Sequence, residues 1–217
     1  MEPEFWHQRW QEGQIGFHQG RVNETLRRCF ARLTPRPGEH VFVPLCGKSM
    51  DMLWLQEQGH PVTGVELSPL AVESFFSDNG LRYRSLRSGN LSRHDATGFT
   101  LYCGDFFELE PVDVHRCTLA YDRAALVAFP PHMRPRYAQR LLELLPTGAR
   151  MLLVTLVYPG GEMEGPPFSV EEEEVRALFD GAAKVQPLLS REILEEEPGL
   201  RQRGLSALRE EAWLIRP

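Results

Sequence analysis

The chain has 217 residues, 42% of them hydrophobic and 25% charged, the proportions of a globular protein able to bury one large core without staples. Its 24 basic residues against 30 acidic ones give a formal net charge of −6, which argues against nucleic acid held by phosphate neutralisation. No apolar run approaches the ~18–20 residues of a membrane span, and the opening MEPEFWHQRW is unlike a secretion signal. A cytoplasmic monomer, off the membrane, is the expectation. Cys29, Cys46, Cys103 and Cys117 form no C-x-x-C pair and the histidines do not cluster with them, so neither a disulfide framework nor a metal is expected.

One domain over 1–217 is expected, with 1–34 as an N-terminal lid segment. Trp6 and Trp10 lie four apart and share a helix face, as a plug on the core or a lid over a ligand. Phe17-His18-Gln19 follows in a glycine-rich stretch suited to hinging such a lid. The first strand reads at 40–45, and a helix with Met50, Leu53 and Trp54 on one face runs from near Ser49 to a stop at Gly59. A second strand covers 61–66, and Ser68-Pro69 supplies the N-cap and first residue of the next helix. Residues 82–98 are polar and arginine-rich and read as a solvated loop rather than a basic docking patch. Strands follow at 99–103 and roughly 114–121. Pro135 opens a helix through Tyr137, Leu141, Leu142 and Leu145. The apolar run 151–157 suits a strand buried on both faces. Ser169 with Glu172 reads as a capping box for a helix reaching about Phe179, whose Glu171–Glu174 run suits a solvated first turn. Segments 183–190 and 205–215 read as antiparallel strands joined without a helix.

Alternating strands and helices point to an α/β sandwich with a largely parallel sheet, whose strand carboxyl ends are where ligands bind. After strand one, Gly47-Lys48-Ser49 imitates the tail of a P-loop. Phe42 stands where that motif needs its first glycine, so the P-loop reading fails. The dinucleotide fingerprint fails as well, because only Gly47 of its three glycines is present. Glu66 nevertheless ends strand two, 19 residues after Gly47, where an acidic side chain accepts from ribose hydroxyls. Asp105 and Phe106 follow strand three. They suit either an adenine-binding turn or a helix N-cap followed by a core aromatic. Asp122-Arg123 ends strand four, as a structural ion pair or as a fork for a carboxylate or an anionic substrate.

The segments Val41-Phe42-Val43-Pro44-Leu45-Cys46-Gly47-Lys48, Gly64-Val65-Glu66-Leu67-Ser68, Phe75-Phe76 and Asp122-Arg123-x-Ala125-Leu126-Val127-Ala128, with Trp10 and Phe17-His18-Gln19, resemble the thiopurine S-methyltransferase family, in its bacterial branch. The resemblance spans nearly the whole chain. It implies a class I (Rossmann-like) methyltransferase fold, with a seven-stranded, mostly parallel sheet, an antiparallel last strand and helices on both faces. It implies S-adenosylmethionine as cofactor, held by Trp10, Leu45, Gly47, Glu66 and Arg123, with Asp105 and Phe106 at the adenine. Phe17, Arg123 and Arg201 fall to the substrate. The implied reaction is methyl transfer to the sulfur of aromatic or heterocyclic thiols such as thiopurines. Selenium or tellurium species are an alternative acceptor, and a non-catalytic nucleoside-binding module is a third reading. A thiolate is already a strong nucleophile, so no catalytic base is assigned.

Overall fold

The computed structural model describes residues 3–181 and 183–217. Helix α1 (Pro3–Gln11) and helix α2 (Glu24–Cys29), the latter extended by a 3-10 turn at Phe30–Leu33, precede strand β1 (Val41–Val43). Then come α3 (Met50–Glu57), β2 (Val62–Glu66), α4 (Pro69–Asp78), the hairpin β3 (Arg84–Ser88) and β4 (Leu91–Ala96), and β5 (Phe99–Cys103). The second half runs α5 (Pro111–Val114), β6 (Leu119–Asp122), α6 (Arg134–Leu144), β7 (Arg150–Val157), α7 (Glu172–Phe179), β8 (Lys184–Glu192), α8 (Pro198–Gln202) and β9 (Arg209–Arg216).

The strands form one sheet in the order β3-β4-β5-β2-β1-β6-β7-β9-β8. From β5 to β7 every pairing is parallel, and β9 lies antiparallel between β7 and β8. Side chains alternate faces along each strand, so both faces must be covered. On β7, Met151 and Leu153 join Phe42, Tyr137, Leu141, Val175 and Phe179 in one apolar cluster. Leu152 and Val154 join Leu26, Met52, Leu55, Val72 and Phe75 in the other. The doubly wound fold, with its antiparallel end, is as expected.

Several local expectations are corrected. The sheet has nine strands rather than seven, because residues 84–96 form a hairpin paired antiparallel with β5 instead of a solvated loop. The fourth parallel strand covers only Leu119–Asp122, since Pro111 and a reciprocal Glu110/Asp113 capping box commit the preceding residues to α5. Helix α3 buries Asp51, Met52 and Leu55 most deeply, and Leu53 and Trp54 pack partly buried against the same cluster. The N-cap of α7 is Glu171, and the Ser169 hydroxyl bonds the main chain of Tyr158 instead. The link between β8 and β9 contains a 3-10 turn and α8.

Two close packings set the strand ends. A Cβ on Gly64 would lie 2.7 Å from Cys46 Sγ and 2.8 Å from Leu101 Cδ2, so the loop after β1 rests directly on bare β2 backbone. At the end of β6, the fully buried Asp122 carboxylate accepts from the backbone N–H groups of Ala125 and Leu126 and from the Tyr137 hydroxyl. Burial pushes its carboxyl up to about 6, against the pull of those three donors. Replacing Gly64→Ala should cost ~1–3 kcal/mol by overpacking. Urea denaturation checks this, and an unchanged midpoint would mean that Cys46 and Leu101 shift freely.

Candidate active site

A cavity of about 1300 Å³ opens where β1, β2, β5 and β6 end. Its opposite walls come from α1 and residues 14–21, from Gly165-Pro166-Pro167, and from the segment that includes α8. Single small-molecule pockets run to ~300–1,000 Å³, so this volume has room for two ligands side by side.

The turn after β1 is shaped by three constraints. Leu45 adopts φ of 46°, a left-handed conformation that costs a bulky residue ~1–3 kcal/mol. Cys46 N–H then donates to Val65 O at 2.9 Å, and Gly47, also left-handed at φ 52°, donates its N–H to Glu66 Oε2 at 2.9 Å. The other carboxylate oxygen, Oε1, accepts from Ser68 N–H at 2.8 Å, so Glu66 ties the two loops together. Burial pushes the Glu66 carboxyl above the usual range, and the Ser68 and Gly47 N–H groups pull it back. A carboxylate has about four acceptor sites, so two remain for hydroxyls of a ligand. Trp10 Cζ2 lies 3.4 Å from where a Gly47 Cβ would stand, so α1 is seated directly on the turn.

Cations line the cavity, and most are engaged. Arg9 donates to Gln14, Arg21 pairs with Glu196, Lys48 with Asp78, Arg136 lies 4.1 Å over the Phe107 ring, and Arg203 donates to Pro166 O. Arg123 makes no hydrogen bond or ion pair among the described residues, although it follows Asp122 directly. Asp122 is spent on its own turn and on Tyr137, so the two are not a structural pair. His18, on the same cavity, has its pKa lowered by burial, then by Lys48 and Arg123, which favours the neutral ring.

The fold brings Trp10, Phe17, Leu45, Gly47, Glu66, Asp105, Phe106 and Arg123 to this one cavity. Phe17 packs edge-on between Trp6 and Trp10, with centroids 5.6 and 5.7 Å away. Asp105 is both an exposed N-cap, accepting from Phe107 N–H, and a cavity residue, while Phe106 lines the cavity from within the core, 4.9 Å from the Tyr137 ring. Arg201 is the exception. It turns to Glu195 on the surface, and Arg203, two residues on, reaches the wall instead. Sequence reasoning also passed over Glu197 and the Gly165-Pro166-Pro167 turn. A proline directly after Glu197 marks a helix N-cap, the one available signal there.

A family model described as thiopurine S-methyltransferase (TPMT) matches residues 1–217. A thiopurine S-methyltransferase of Methylococcus capsulatus is 48% identical over 217 residues, covering 100% of this chain and 98% of that one. That of Nitrosospira multiformis is 46% identical over 215 residues, covering 99% and 98%. Among solved structures, Burkholderia thailandensis 1,6-didemethyltoxoflavin-N1-methyltransferase, with bound 1,6-didemethyltoxoflavin and S-adenosylhomocysteine, superposes with a TM-score of 0.62 at 19% identity over 99% of this chain and 87% of that one. Magnesium protoporphyrin IX methyltransferase from Synechocystis, also with bound S-adenosylhomocysteine, gives 0.61 at 14% identity over 100% of both. The chain belongs to the thiopurine S-methyltransferase family, with the class I methyltransferase fold and S-adenosylmethionine as its cofactor.

Proposed function

We propose that the cavity aligns the methyl group of S-adenosylmethionine with the sulfur of an aromatic or heterocyclic thiol, thiopurines included. The observation that carries this reading is Arg123, a guanidinium without a protein partner among the described residues, in a cavity also lined by Trp6, Phe17, Phe107 and Phe129. Such walls suit a planar ring, and a free cation suits the anionic sulfur or carboxylate carried by it.

The residues present fit the cofactor. Glu66 opens onto the cavity with half its acceptor capacity unused, as ribose hydroxyls require. Leu45, Gly47 and Trp10 form the turn and the ring packed on it, and Asp105 with Phe106 stands at the next strand end for the adenine. When bound, S-adenosylmethionine supplies a methyl group activated by a sulfonium.

The contribution of Arg123, the aromatic walls and α1 is positional. Arg123 holds the acceptor's sulfur, anionic in a thiolate and the negative end of the C=S dipole in a thione, while the aromatic walls fix the ring plane and α1 with Phe17 shields the site from water. Alignment of this kind is worth up to ~7–11 kcal/mol in ideal cases.

Incubation with labelled S-adenosylmethionine and 6-mercaptopurine should place the label on sulfur, and an unlabelled acceptor would overturn the proposal. Glu66→Gln keeps the size but removes the charge and turns an amide NH2 toward either the Gly47 or the Ser68 N–H, so cofactor affinity should fall at least ~10-fold by calorimetry, and a cooperative thermal transition of the variant shows that the loss is not global unfolding. Arg123→Met should lower kcat/KM for thiols by ~10²-fold, in line with the loss of one charge-assisted contact, while the thermal midpoint stays put. Full turnover in that variant would remove Arg123 from the site.

A further inference from the structure

We propose that Glu197 is the proton acceptor for thiol substrates that arrive as ring thiones. The inference rests on the thiol-methylating reading above and deepens it.

Glu197 occupies the N-cap position of α8, where a carboxylate ordinarily accepts the first helical N–H groups. Its side chain makes no such bond and lines the cavity instead. Oε1 accepts from Gln19 Nε2 at 2.5 Å, which fixes the carboxylate, and Oε2 has no hydrogen bond among the described residues. The other carboxylates on this side of the cavity are consumed. Asp51 accepts from Asn23 N–H and the Tyr121 hydroxyl, Glu210 from Asn23 and Thr25, and Glu196 pairs with Arg191 and Arg21. Glu66 is bonded at both oxygens, and Asp105 stands across the cavity at the end of β5. Glu197 is thus a held carboxylate with a free oxygen, set in the field of Arg123 and Arg21 and opposed by Glu210. Burial raises its proton affinity, which suits an acceptor better than a fully solvated carboxylate would be.

The chemistry calls for such a group. Heterocyclic thiols exist largely as thiones, with the proton on the ring nitrogen beside the C=S carbon. The thione sulfur forms its bond to the methyl carbon as the carbon–sulfonium bond breaks, that electron pair going to the cofactor's sulfur. The ring would be left cationic. As the N–H bond breaks, its pair stays on the ring nitrogen and the proton passes to Glu197 Oε2, which later releases it to water. The sum is thione plus S-adenosylmethionine giving S-methyl heterocycle, S-adenosylhomocysteine and a proton. Thiophenol has no N–H and reacts as its thiolate, so it offers Glu197 nothing to accept.

The test compares pyridine-2-thione with thiophenol, two acceptors of similar size, on the wild-type chain and on Glu197→Gln. The variant should lose ~10²-fold in kcat on the thione, the usual scale for a general base, and at least tenfold less on thiophenol. Calorimetric cofactor binding equal to wild type would show the variant folded. Equal losses on both acceptors, or none on either, would overturn the assignment. A wild-type chain that binds S-adenosylmethionine yet methylates neither acceptor would overturn the thiol reading, and this inference with it.

Discussion

The structure depends on one buried carboxylate with two backbone donors. Glu66 stands at the last position of β2, 7% exposed, and its oxygens take the Gly47 and Ser68 N–H groups. Each donor begins a loop that leads into a helix, α3 after Ser49 and α4 after Ser68. The charge therefore fixes where both helices start relative to the sheet. An ionised group so placed is costly to bury unless hydrogen-bonded, and here the backbone supplies the compensation. Glu66 also lines the cavity, so the carboxylate that orders the two loops is the same one proposed to hold the cofactor's ribose.

The far wall of the cavity is held by a second buried polar set, centred on Asn23. Its side-chain oxygen caps α2 at Leu26 N–H, its amide nitrogen donates to Glu210 Oε1, and its backbone N–H donates to Asp51 Oδ1. Tyr121 donates to the other Asp51 oxygen and Thr25 to the other Glu210 oxygen. Every carboxylate oxygen in this set has a donor, which is the condition under which buried networks specify rather than destabilise. The network joins α2, α3, β6 and β9, and so fixes the chain just after the segment that carries Phe17 and Gln19. With Trp10 seated on Gly47 at one end and Asn23 locked at the other, the segment that carries Phe17, His18 and Gln19 along the cavity wall is held between two anchors.

The parallel core was legible because its strands are short apolar runs between clear caps. Ser49, Ser68 and Gly59 mark helix ends where the structure has them. The rule that ligands bind at strand carboxyl ends pointed to Glu66, the last residue of β2, and to Arg123, the residue after β6, and both line the cavity. The hairpin β3–β4 was not, for a physical reason. Strand β3 is exposed at four of its five positions, so Arg84-Ser85-Leu86-Arg87-Ser88 carries no alternation, only arginines that blunt a sheet edge. The α8 region failed differently. Arg201 and Arg203 are chemically identical candidates two residues apart, and only the turn of a five-residue helix sends one to Glu195 and the other to the cavity.

The end of β6 shows why neighbouring charges of opposite sign need not pair. Asp122 and Arg123 sit in a strand-to-turn transition, where successive side chains leave on opposite faces. Asp122 points into the core, where the Ala125 and Leu126 N–H groups and the Tyr137 hydroxyl engage both of its oxygens. Its role is to hold the turn, and its oxygens are directed at those three donors rather than at its neighbour. Arg123 is left lining the cavity, within the longer-range fields of Glu197, His18 and Tyr121. A guanidinium neutralised by the adjacent aspartate would offer little to an anionic acceptor. The fold keeps that cation available by giving its natural partner a different job.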